Sequence, residues 1–299
     1  MKKMKIALMA MAVAAFVSLT ACSEDSLSPN SVFDEEDNAF TPLDAWLLTN
    51  YIQPYNINFQ YRYLDMESDM AYTLVPAAYT QAWQLAKLVH FLCFESYDTI
   101  TGSEEFIREN FPKMIFLVGS PAYNNNGSIV LGTAEGGTKI TLYNVNNLIP
   151  TDVALLNSRY FKTIQHEFTH ILNQKKPYST DFDQITGTAT GIEYVGNSCW
   201  TVYGTDEAAQ ADGFISRYSS TSANEDFAEL VSLYVTNSAA SWESKLTAAG
   251  SVGRPMIENK FEIVSKYMEN EWGIDLDVLR DEVQRRQALV PTLDWDSLN

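Results

Sequence analysis

The spacing of apolar positions divides the chain into a strand-bearing first part and a helical second part. Ile57, Phe59, Tyr61 and Tyr63 alternate with polar residues, the period of a half-buried strand. From Pro76 to about Phe94 the period lengthens to that of a helix, and Lys113 to Val118 is a short apolar run that suits a buried strand. Ser128–Thr133 and Thr138–Asn144 flank Ala134-Glu135-Gly136-Gly137, which reads as a hairpin connection. From Tyr160 to Gln174, the residues Phe161, Ile164, Phe168, Ile171 and Leu172 recur at i, i+3 and i+4, and Pro177 follows as a stop signal. Asp181–Ile185 and Asp206–Tyr218 read as helical, and Phe227, Leu230, Val231 and Tyr234 are the apolar positions of another helix. Arg254–Trp272 and Leu276–Ala288 are amphipathic and close the chain as packing helices. Strands leading into a helical second part predict an α+β fold.

The helix over 160–174 carries His166-Glu167-Phe168-Thr169-His170, an H-E-x-x-H pattern. Residues four apart share a helix face, so the two imidazoles can hold one metal ion from one side. Glu167 lies beside them, within reach of a water on that ion. A hydrolytic zinc site takes three protein ligands and leaves a position for water, whose proton a carboxylate can remove. The two histidines lie off the apolar stripe, and a third ligand must come from elsewhere.

Glu225 and Glu229 are the leading candidates. They are four apart on the face of their helix opposite its apolar positions, where two like charges repel. The repulsion disappears if one carboxylate binds a cation and the other binds a ligating histidine, which assigns Glu225 to the metal and Glu229 behind it. Ser222 and Glu225 also fit an S-x-x-E capping box, and an Asp between 181 and 212 is the alternative ligand. His90, the third of three histidines, sits among Leu88, Val89, Phe91 and Leu92 and reads as a packed or hydrogen-bonded core residue.

Lys2, Lys3 and Lys5 precede an apolar run from Ile6 to Val17, too short to span a membrane, as in an export signal. Leu19-Thr20-Ala21-Cys22 resembles a bacterial lipobox, which implies a signal over 1–21, lipidation of Cys22 and attachment to a membrane rather than passage through it. Ser23-Glu24-Asp25 resembles the acidic surface-export signal of some Gram-negative lipoproteins, so the expected location is the outer face of the outer membrane. Residues 22–40 read as an acidic flexible linker. Net charge is −18, and −21 once the signal's three lysines are gone, which leaves 17 Lys+Arg against 38 Asp+Glu. Such a chain repels nucleic acid and anionic lipid, and its acidity suits a solvated surface or basic substrates. Cys93 and Cys199 are too far apart for a metal motif. Cys93 reads as a buried thiol, and a disulfide between the two is permitted in an oxidising compartment.

His-Glu-Phe-Thr-His at 166–170, followed after 54 residues by Glu225-Asp226-Phe227-Ala228-Glu229, resembles a gluzincin metallopeptidase. More closely, the chain resembles a family of zinc-binding metallopeptidase lipoproteins through Phe182-Asp183-Gln184-Ile185-Thr186, Gly213-Phe214-Ile215-Ser216, the 225–229 stretch and Gly273-Ile274-Asp275-Leu276-Asp277. The resemblance covers most of residues 41–299. It implies a zincin-like α+β domain with a mixed or antiparallel sheet lobe, an active-site helix and a helical C-terminal lobe, split at about 175/176. It also implies one zinc ion per chain, a protein or peptide substrate and a monomer. The site is similar to that of lethal-factor-type toxins, where a Tyr seven residues before the Glu ligand stabilises the oxyanion; Tyr218 stands at that offset from Glu225. A surface lipoprotein with a silent zinc site, serving glycan or mucin uptake, is the alternative from another functional class.

Overall fold

The computed structural model describes residues 39–123, 129–130, 132–135, 138–187 and 190–298. The export signal, Cys22 and nearly all of the linker lie outside the described residues, as do Gly136 and Gly137 of the hairpin connection. Thr41–Asn299 forms one compact unit. No helix among the described residues is long and apolar enough to cross a membrane.

The first helix, α1 (Pro42–Leu47), starts where Thr41 and Asp44 form a reciprocal capping box and Pro42 supplies a preset φ. It runs on through a π-helical turn, Leu48–Ile52. The alternating segment after it yields only a three-residue strand, β1 (Asn58–Gln60). Helix α2 (Tyr79–Val89) continues through a second π turn, His90–Phe94, into α3 (Glu95–Thr101). A short α4 (Glu105–Asn110) leads to β2 (Met114–Leu117). Two-residue strands β3 (Ala122–Tyr123) and β4 (Ile129–Val130) pair with each other, so part of the expected 128–133 strand is diverted from the hairpin. The hairpin itself forms from β5 (Gly132–Glu135) and β6 (Lys139–Leu142), antiparallel with Ala134 opposite Ile140.

The main sheet has the order β1-β2-β6-β5. It is chiefly parallel: β1 pairs parallel with β2, and β2 parallel with β6, with Ile115 opposite Ile140. Only the edge strand β5 runs antiparallel. Hairpin signals are local and readable, whereas a parallel pairing joins distant segments and leaves no turn signature.

The helices over the sheet begin with α5 (Val153–Leu156), a third π turn at Asn157–Phe161, and α6 (Lys162–Lys175), which carries the H-E-x-x-H residues. Its predicted stripe is the buried one: Phe161, Ile164, Phe168, Ile171 and Leu172 are all at most 4% exposed. Next, α7 (Asp206–Ala211) is shorter than the 206–218 expectation. Gly213 ends it at φ +88°, a conformation L side chains rarely adopt, and a Cβ there would meet the Met256 side chain at 2.7 Å. Residues 182–184, expected within a helix, form a single 3-10 turn.

Helix α8 (Ala223–Thr236) is capped by Ser222, which accepts from the Glu225 amide, and packs chiefly along α6. After it come α9 (Ala239–Ala248), α10 (Gly250–Trp272) and α11 (Leu276–Leu289). Gly273 closes α10 in the left-handed conformation, and Asp275 caps α11 by accepting from the amides of Asp277 and Val278. These last helices reach the first half of the chain: Arg286 on α11 donates to the Phe91 and Glu95 carbonyls and the Thr99 hydroxyl, and pairs with the Glu95 carboxylate.

His90 is held in the core as expected. Its ring packs against Trp46, Tyr51, Tyr55 and Phe94, and its Nδ1 lies 3.0 Å from Glu95. That carboxylate is five residues on, a spacing that faces the histidine because the helix there is π-wound. Cys93 and Cys199 are both buried and free, so the permitted disulfide does not form.

Candidate metal centre

Packing of α6 against α8 turns the histidines toward Glu225 rather than toward solvent. His166 is only 6% exposed, because the second helix covers the face that lies off the apolar stripe. His166 Nε2 lies 2.9 Å from Glu225 Oε2 and 3.0 Å from His170 Nε2, and His170 Nε2 lies 3.4 Å from the same carboxylate oxygen. Three donor atoms are thus aimed at one point. Ligands about 2.0–2.1 Å from a tetrahedral zinc are separated from one another by roughly 3.3 Å, so the spacing matches one triangular face of such a shell. Two imidazole nitrogens and one carboxylate oxygen are also the donor types zinc takes at a catalytic site. Among the described residues, His166, His170 and Glu225 are the set that can hold a metal ion; no Asp from 181–212 joins them. Glu225 does not complete the capping box, since its carboxylate turns to the imidazoles.

Behind the first histidine stands Glu229, 1% exposed, with Oε1 3.1 Å from His166 Nδ1. Two residues to which the sequence assigned no role hold that carboxylate. Lys162 Nζ lies 2.8 Å from Oε1, and the Ser216 hydroxyl donates to Oε2 at 2.6 Å. Lys162 is one turn before His166 on α6, so the i, i+4 spacing was a usable signal. Ser216 comes from the loop after Gly213, a stretch marked only by the family resemblance.

These contacts set the charges in the metal-free protein. Burial pushes the Glu229 carboxyl up, but Lys162 and His166 outweigh it and bring it down to about 2. Burial pushes His166 down, yet the carboxylates of Glu225 and Glu229 that face its two nitrogens prevail and raise it to about 9. Burial also opposes ionisation of Glu225, and the two imidazoles overcome it, holding the carboxyl well below its usual range.

Tyr218 opens a 3-10 turn, Tyr218–Thr221, that leads into α8, and its ring centroid is 5.8 Å from that of His166. Burial, and then the carboxylates of Glu225, Glu167 and Glu229, raise its phenol well above the usual value. Trp200 stacks on its other side at 6.3 Å and carries Arg217 over its own ring. Glu167 is half-buried on α6, and its charge acts on both His166 and Tyr218.

A deeper layer joins α8 to α10. Lys260 and Asp226 are both fully buried and paired at 2.5 Å; Lys260 also donates to the Gly213 carbonyl, and the Tyr194 hydroxyl donates to Asp226. Phe182 packs on Phe227 at 5.2 Å. The separated stretches at 182–186, 213–216 and 225–229 therefore meet behind the centre.

The solved structure described as a putative zinc-binding metallo-peptidase from Bacteroides caccae ATCC 43185 is 38% identical to this chain. It superposes with a TM-score of 0.75 over 90% of this chain and 100% of its own. No curated protein matches at a significant level. The model of the family described as "Putative zinc-binding metallo-peptidase" matches residues 36–277, a span that contains both helices of the centre and the turn between them. By that match and by the solved relative, the chain belongs to this zinc-binding metallo-peptidase family.

Proposed function

We propose that the chain is a zinc-dependent peptidase of gluzincin type that hydrolyses peptide bonds with an activated water. The observation that carries this reading is the meeting of the His166, His170 and Glu225 donor atoms beside Glu167. Those three residues would hold the ion, and zinc there would polarise the scissile carbonyl and make a water acidic enough to react near neutral pH. Glu167 takes the proton of the attacking water and later delivers it to the leaving amine. Tyr218 keeps its proton at neutral pH and donates to the oxygen that becomes negative in the transition state. Glu229 Oε1, 3.1 Å from His166 Nδ1, favours the tautomer whose Nε2 lone pair faces the centre.

The substrate lies extended against the sheet edge. Strand β5 is that edge, and Gly132 approaches α6 so closely that a Cβ would come within 2.4 Å of Thr163 Cγ2. A peptide can add to β5 through main-chain hydrogen bonds.

The protein is exported and held at the outer face of the outer membrane by acylation at Cys22. Loss of labelled fatty acid in Cys22→Ser tests the anchor, and undiminished labelling refutes it. For the chemistry, Glu167→Ala is expected to keep its zinc while peptide hydrolysis falls about 10²–10⁴-fold. An unchanged rate in that variant refutes the mechanism.

A further inference from the structure

Beside the centre is an open cleft of about 310 Å³ lined by His170, Asn173, Gln174, Pro177, Tyr178, Thr180, Asp183 and Asn224. Its size, at the low end for ligand pockets, suits one long side chain. Two of its walls are tied to the metal-site residues: Asn173 is three positions after His170 on the same helix, and Asn224 directly precedes Glu225. A group lodged here is therefore next to the reacting bond.

Asp183 is the acidic group of the lining. Both amide atoms of Asn173 and Oδ1 of Asp183 are buried without a hydrogen-bond partner. Asn224 Oδ1 already accepts from the Tyr178 hydroxyl at 2.8 Å, which holds that wall in place. Burial raises the Asp183 carboxyl. Nearby lysines are engaged elsewhere: Lys175 donates to Glu109 and Asn110, and Lys176 pairs with Glu271 over Trp272. Pro177 and the Tyr178 ring provide apolar surface along the way in.

We propose that this cleft is a specificity subsite for an arginine or lysine side chain of the substrate, read by Asp183. The assignment rests on the peptidase reading for its role in cleavage. A long basic side chain fits both halves of the lining, with its methylenes along Pro177 and Tyr178 and its charged head at the Asp183 carboxylate. An apolar side chain would leave the Asp183 carboxylate without a counter-charge. An acidic one would face Asp183. The chain's net charge of −18 also draws basic peptides toward the site.

The test separates binding from turnover. Peptide hydroxamates carrying arginine, norleucine or glutamate at each position in turn are titrated by calorimetry against the zinc-loaded protein and its Asp183→Asn variant. The expected result is one position at which arginine binds about tenfold tighter than norleucine, a preference that Asp183→Asn largely removes while norleucine binding stays the same. Norleucine binding as well as arginine at every position overturns the proposal, as does an arginine preference that survives Asp183→Asn. Digestion of a peptide library by the wild type is the second arm. Cleavage without preference for a basic residue also overturns it. No cleavage, with the arginine preference intact in calorimetry, instead overturns the peptidase reading and leaves the basic-side-chain site standing.

Discussion

Replacing Glu229 by glutamine keeps the shape of a buried side chain and removes its charge, which isolates what that charge does for the centre. Three groups share the carboxylate: His166 Nδ1 at 3.1 Å, Lys162 Nζ at 2.8 Å and the Ser216 hydroxyl at 2.6 Å. The Lys162 side chain is 30% exposed and can turn to water, so its share is that of a near-surface pair, at most about 1 kcal/mol. His166 and Ser216 are buried and have no such exit. An amide oxygen can accept from only one of them well, and its N–H₂ set against Lys162 or His166 Nδ1 is repulsive. Losing the partner behind a metal-ligating imidazole typically lowers metal affinity 10–100-fold, about 1.4–2.7 kcal/mol. Zinc affinity of wild type and Glu229→Gln, measured by competition with a chromophoric chelator at neutral pH, should differ by that factor. Glu229→Ala, which removes the partner altogether, should also destabilise the metal-free fold by about 3–5 kcal/mol in urea unfolding. A zinc dissociation constant in Glu229→Gln within about twofold of wild type would refute the claim that this carboxylate sets the imidazole. Lower stability with unchanged affinity would reduce Glu229 to a packing element.

Other outcomes follow from the same geometry. Tyr218→Phe should lower kcat by about 10²–10³-fold with little change in KM, read by steady-state kinetics, because the hydroxyl acts on charge that appears only in the transition state. Lys260→Met should cost about 3–5 kcal/mol in chemical denaturation by stranding Asp226, while Lys260→Met with Asp226→Leu should recover most of it. Zinc binding requires neutral His166, whose metal-free value is raised from 6.5 to about 9, so apparent affinity should rise about tenfold per pH unit up to about 9. The raised His166 adds stability to the metal-free fold that is fully present below 6.5 and is lost as pH climbs through about 9. The lowered Glu229 adds stability present above 4.5 and lost as pH falls toward about 2, and denaturation across both ranges checks the two signs.

Local chemistry determined a good deal before any coordinates. The i, i+4 histidines, the glutamate beside them and the apolar stripe beneath lie within three turns of one helix, where spacing in sequence translates directly into direction in space. The paired acids at 225 and 229 could be singled out because two like charges on one face need cations to explain them.

Only the tertiary structure decided which carboxylate faces which nitrogen, since 54 residues separate His170 from Glu225 and no period spans that gap. It alone brought Lys162 and Ser216 onto Glu229, buried His166 beneath α8, and set β1, β2 and β6 parallel. Each of these depends on packing between segments far apart in the chain, where burial and charge compensation choose the partner and the sequence carries no local record of the choice.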